Sequence, residues 1–265
     1  MTEMIGRPYD ENTPLTRSNR KRYPEPLTLR WRIFHNFNYL IGGITFAIGS
    51  YQYFPGVSDY ELGGWLFTIG SLGFVIADAM EWWMNNRVGC YSYAEYEESY
   101  EQSVGRFFEP KSTLAGKYQR AELGLNFFLS FTGSSFYLIG SILYIPDLDS
   151  IVIGDKIFIL GSCIIFIAQG WKLYRCGCTN EHNPSDKTFQ LANYNADFFG
   201  FLVDLCAGLG GVAYFVGSIY FLPEYDVSDQ ITYIAAWWFQ VGGAFFFLSG
   251  AFMFIRYFCL GKFEK

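Results

Sequence analysis

Histidine is almost missing from this chain, with 2 copies in 265 residues, and charged residues make up only 17% of it. Soluble globular proteins carry about a quarter. These shortages argue against a soluble domain, and the apolar bulk excludes a soluble nucleic-acid role. No Walker phosphate loop, HExxH or Gly-x-Ser-x-Gly elbow is present, and acidic pairs without a cleft imply no acid–base work. The expectation is a non-enzyme without a cofactor or a metal. The 6 cysteines form no even framework, so no disulfide scaffold is expected. Residues 1–30 hold no apolar core, so no signal peptide is read there, and Glu3, Asp10 and Glu11 speak against a mitochondrial presequence.

What the chain has in abundance is apolar and aromatic surface, 51% and 21% of its residues. A helix needs about 20 mostly apolar residues to cross a hydrocarbon layer about 30 Å thick. Six runs qualify: 33–54, 62–84, 122–145, 151–173, 196–222 and 231–257. A soluble helical core would need polar faces at helical spacing, and a segment such as FFFLSGAFMFIRYF offers none. The fold class read here is all-α: a polytopic membrane protein with six transmembrane helices arranged as three tandem helical hairpins.

The basic residues set the expected orientation. Of 19 Lys and Arg, only Lys156 stands at the edge of the loops PGVSDYE, PDLDSIVIGD and PEYDVSD, which carry acids that include Asp59, Asp147, Asp155 and Asp226. The rest lie before the first span, between spans two and three, around the fourth-to-fifth connection and at the C-terminus. The positive-inside rule then places both termini in the cytoplasm. The division is a basic tail (1–32), hairpins at 33–84, 121–174 and 195–258, cytoplasmic loops at 85–120 and 175–194, and a tail (259–265).

One phrase recurs three times: GGITFAIGSYQYFP at 42–55, GSSFYLIGSILYIP at 133–146 and GGVAYFVGSIYFLP at 210–223. Its paired glycines, Gly42 and Gly49, Gly133 and Gly140, Gly210 and Gly217, are two helical turns apart and share a face, with Phe46, Tyr137 or Tyr214 between them. Small residues let helix backbones approach closely in lipid, and Pro55, Pro146 and Pro223 bar continuation of each helix. A second phrase follows, LFTIGS at 66–71, IFILGS at 157–162 and WFQVGG at 238–243, with Gly70, Gly161 and Gly242. These nine glycines are the candidate helix-packing residues, and the unit is a hairpin with a glycine patch on both arms.

The succession of small-Gly, aromatic, Gly-Ser, hydrophobic turn and Leu-Phe-x-x-Gly-Ser resembles the YrhK-like membrane domain, a two-span hairpin. The resemblance covers 33–84 and 121–174; in the third copy the turn is longer and Gly242–Gly243 replaces Gly-Ser. It implies a fold and a membrane location, and no reaction.

Polar residues gather toward the cytoplasmic ends of the spans. His35, Asp78, Glu81, Glu122, Asp197 and Asp204 are candidates for a polar vestibule, because ionisable groups in lipid mark solute paths unless paired or hydrated. The plainer alternative, pairing with Lys172 and His35, helix capping or snorkelling near the interface, carries more weight. Loop 89–112 mixes Tyr91, Tyr93, Tyr96 and Tyr100 with glutamates; an interfacial helix or solvated connection is favoured over a phosphorylated docking segment. Cys176, Cys178 and Cys259 are candidate acylation sites. Cys176 and Cys178 with His182 would make a weak zinc set, and plain thiols are favoured over both. The functional expectation is a membrane scaffold or interaction module whose partners are the lipid bilayer and further copies or other membrane proteins, not nucleic acid. The alternative is a small-solute or ion permease with a cytoplasm-facing acidic vestibule.

Overall fold

A computed structural model describes residues 29–87, 114–148, 150–178 and 188–259. Most of the basic tail, the tyrosine-rich loop, Cys90, His182, Lys262 and Lys265 lie outside the described residues. Six long helices make up the fold: α1 (Leu29–Tyr51), α2 (Tyr60–Arg87), α3 (Leu114–Leu143), α4 (Ile151–Gly177), α5 (Phe198–Phe221) and α6 (Asp229–Phe258). Short 3-10 turns, Pro146–Leu148 and Leu191–Asp197, precede α4 and α5. No strand occurs among the described residues. The three prolines stand beyond the helix ends, where a missing N–H breaks no helical bond.

Each helix packs mainly on the one before and the one after it, and α6 packs on α1. Six antiparallel helices thereby close into a ring. One end carries the three tight connections after α1, α3 and α5; the other carries the first residues of α1 and the last of α6. Five helices, α2 to α6, are long and apolar enough to cross a membrane. The sixth, α1, falls short in apolarity because it holds Arg32, His35, Asn36 and Asn38, all of which are buried within the molecule.

The interior is aromatic and small, whereas the outside is aliphatic and aromatic. Residues seven apart along each helix, or just past its end, turn inward: Phe46 and Tyr53, Phe67 and Phe74, Tyr137 and Tyr144, Phe158 and Ile165, Tyr214 and Phe221, Phe239 and Phe246. Phe46, Phe67, Tyr137, Phe158, Tyr214 and Phe239, one from each helix, are all 0% exposed. Ile33, Phe37, Ile48, Leu160, Phe166 and Ile167 are exposed on the outer surface, as expected where the solvent is acyl chain rather than water.

Candidate functional site

The ring axis and its two ends hold the residues singled out by sequence. At the middle, the rings of Phe46, Tyr137 and Tyr214 touch one another, with centroid separations of 5.9, 5.2 and 6.0 Å. Each also meets an aromatic from the second arm of its own hairpin: Phe46 on Phe67 at 4.9 Å, Tyr137 on Phe158 at 4.8 Å and Tyr214 on Phe239 at 5.0 Å. Such pairs contribute about 0.5–1.5 kcal/mol beyond their buried area. The axis is filled.

All nine candidate glycines are buried, and most of them face rings. A methyl carbon on Gly49 would lie 2.9 Å from the Phe67 ring, and one on Gly70 would meet Phe46 at 2.6 Å. The exchange recurs between Gly161 and Tyr137 (3.0 Å), Gly217 and Phe239 (2.5 Å), and Gly242 and Tyr214 (2.6 Å), and Gly140 faces Phe158 in the same way. One turn pair further along, Gly42 faces Phe74, Gly133 faces Ile165 and Gly210 faces Phe246. Each arm therefore offers notches that the other arm's large side chains fill.

Hydroxyl pairs add polar links between hairpins. Ser71 and Ser141 hydroxyls pair at 2.8 Å across α2 and α3, and Ser50 Oγ pairs with Tyr214 Oη at 2.8 Å across α1 and α5. Tyr137 Oη meets Ser162 Oγ at 2.8 Å within the second hairpin. In the first hairpin the matching aromatic, Phe46, has no hydroxyl, which leaves Ser71 for its neighbour in the next hairpin. The third hairpin has Gly243 where the others have Ser71 and Ser162. A methyl carbon there would stand 2.7 Å from Ala47 Cα, and one on Gly43 would stand 2.6 Å from Phe247 Cα. The departure from Gly-Ser falls where α6 meets α1 and closes the ring.

At the end away from the tight connections, four of the six vestibule candidates converge on Lys172. Its Nζ lies 3.6 Å from Glu81 and 3.9 Å from Asp204, and His35 Nε2 lies 3.4 Å from Glu81. Asp78 is within electrostatic reach of Glu81 and Lys172, and Ser134 stands beside it. His35 stacks on Trp31 at 4.6 Å, and its Nδ1 is 3.3 Å from Tyr257 Oη. The group is mostly enclosed, with 12% of the Lys172 side chain exposed. Lys172 was legible as an inward residue, since it continues the seven-residue series of Phe158 and Ile165, just as Glu81 continues Phe67 and Phe74.

Two candidates lie apart from this group. Glu122 accepts a hydrogen bond from Trp171 Nε1 at 2.7 Å on the flank of the α3–α4 pair. Asp197 caps α5 by accepting from Gly200 N at 3.2 Å and forms an ion pair with Arg256. Asn126, which aligns with His35 in the repeat, is buried and donates to the Ala168 carbonyl at 2.8 Å.

One placement is a correction. The loop PDLDSIVIGD and the span 151–173 both claim Asp155; α4 begins at Ile151, so Asp155 belongs to the span, sits on its second turn and is 0% exposed. The Tyr144 hydroxyl donates to its carboxylate. The stretch IVIGD has the glycine and acid of a loop, yet it opens an apolar helix, as the run 151–173 implies.

Cys176 and Cys178 lie at the end of α4 and Cys259 just past α6; none of the three is in a disulfide. Tyr194, in the 3-10 turn beside the first two, donates to the Leu173 carbonyl at 3.0 Å, and burial together with these thiols pushes its phenol up.

The helices and their apolar faces define a multi-pass membrane protein of the all-helical class. Residues 29–81, the first hairpin, match the family model described as YrhK-like protein. No curated protein and no solved structure matches the chain.

Proposed function

We propose that this chain is a non-enzymatic membrane scaffold or interaction module built of three tandem YrhK-like hairpins, with six spans and both termini in the cytoplasm. The aromatic-filled axis is the observation that carries this reading: six fully buried rings occupy the line along which a solute would pass. The threefold recurrence of ring-against-glycine packing supports a tandem repeat held by glycine-mediated contacts. A sixth span is supported by the position of α1 between two apolar helices, with its polar groups turned inward. The one-sided distribution of Lys and Arg supports the orientation. Recovery from native detergent as a complex heavier than its own 30.4 kDa, with no flux from vesicles, is the expected result.

A second reading, a small-solute or ion permease, draws on the convergence of His35, Asp78, Glu81 and Asp204 around Lys172. Buried ionisable residues in a membrane protein mark solute paths by default. A lone 30.4 kDa particle with saturable flux, lost in Asp204→Asn, would replace the scaffold with this reading. Unchanged assembly in that variant, with no flux in either form, would retain the scaffold.

A further inference from the structure

The end of the ring opposite the Lys172 group contains a second buried polar cluster. Four oxygen-bearing side chains from four segments meet there: Tyr53 after α1, Tyr144 after α3, Asp155 on α4 and Ser218 on α5. Their exposures are 2%, 2%, 0% and 0%. Tyr144 donates to Asp155 Oδ1, and its ring lies edge-on to Tyr53 at 5.7 Å. Ser218 stands beside the Tyr144 hydroxyl, and Tyr53 is within electrostatic reach of Asp155.

Three of these oxygens have no hydrogen-bond partner among the described residues: Asp155 Oδ2, Tyr53 Oη and Ser218 Oγ. Buried polar atoms are nearly always satisfied, so an unpaired carboxylate oxygen in one cluster with two unpaired hydroxyls calls for something between them. Asp155 lies past the first turn of α4, where the helix terminus gives it little support, and the charge acting on it is another carboxylate, Asp226. Among the described residues no ion pair reaches Asp155, in contrast to Glu81 and Asp204 at the other end. An isolated carboxylate in an apolar interior is costly. A donor set of hydroxyls and one carboxylate suits a hard cation of single charge, since oxygen ligands select such ions over softer metals.

We propose that Asp155, Tyr144, Tyr53 and Ser218 form an enclosed site for one small monovalent cation of the sodium type. The proposal does not depend on whether the protein is a scaffold or a permease. Binding to the folded state alone raises the melting temperature with the logarithm of ion concentration. The test is thermal unfolding of the purified full-length chain in detergent, titrated with sodium chloride against choline chloride at constant ionic strength. The expected result is a logarithmic rise in sodium, about 2–4 °C across the titration, and none in choline, with the difference abolished in Asp155→Asn. Tyr53→Phe and Ser218→Ala keep the carboxylate and guard against a variant that fails to fold; in each the rise should begin at several-fold higher sodium. Equal melting in sodium and choline, the outcome for a water-filled or protonated site, would overturn the proposal. A sodium response unchanged in Tyr53→Phe and Ser218→Ala would overturn it as well.

Discussion

The seams inside the hairpins and the seam that closes the ring solve one problem in different ways. Within a hairpin, most of the glycines face the ring of an inward aromatic, as Gly49 faces Phe67 and Gly217 faces Phe239. Between α6 and α1 the glycines face backbone: Gly43 lies against Phe247 and Gly243 against Ala47. A ring can tilt when its notch shrinks, but a helix backbone moves only by displacing its whole helix. Closing a circle of helices therefore demands most from its first and last arms, and the third copy breaks the Gly-Ser pattern at that contact.

Filling a notch inside a hairpin should cost most. Gly140→Leu would expel Phe158 or part α3 from α4, and a loss of about 3 kcal/mol or more is expected in denaturant unfolding. If that variant melted like the parent, the notches would not be packing features. Gly243→Ser makes the third copy more like the other two, yet should destabilise by about 2–3 kcal/mol by pushing α6 off Ala47. A gain in melting temperature from this change would erase the contrast between the two kinds of seam. Cutting one polar link between hairpins, Ser71→Ala, should cost about 1 kcal/mol. Gly170→Ala supplies the floor, because nothing lies within 4 Å of an added methyl carbon there. It should be neutral or stabilise by up to about 1 kcal/mol in melting.

Much of this architecture was legible in the sequence, and the reasons differ by residue. The helices announced themselves by length and apolarity, α1 least strongly because its inward His35, Asn36 and Asn38 dilute its hydropathy. The aromatic and the glycine at fixed spacing on both arms were readable, but they suggest glycine facing glycine, and that Phe67 fills the notch at Gly49 was not. Closure into a ring was not, because a hairpin's own pattern records its inner face but not which hairpin stands beside it. Glycines at the contacts between hairpins, such as Gly43, Gly64, Gly211 and Gly243, carry that information, and they look like ordinary membrane glycines. In the polar group, His35, Asp78, Glu81 and Asp204 share an end and an inward direction. Glu122 and Asp197 share the end without the direction, Asp197 because it lies before its helix begins. Asp155 was hidden by a loop-like stretch, and its significance rests on contacts with Tyr144, remote from it in helical register.

The paired melting of Phe158→Ala and Phe166→Ala, two changes on the same helix, addresses the filled axis most directly. Phe158 is 0% exposed in the central layer, whereas Phe166 is 52% exposed on the outer surface. A loss of about 3–5 kcal/mol for Phe158→Ala, with under about 1 kcal/mol for Phe166→Ala, is the predicted result. Equal losses, or a larger one at Phe166, would contradict an aromatic core at the centre of a closed ring.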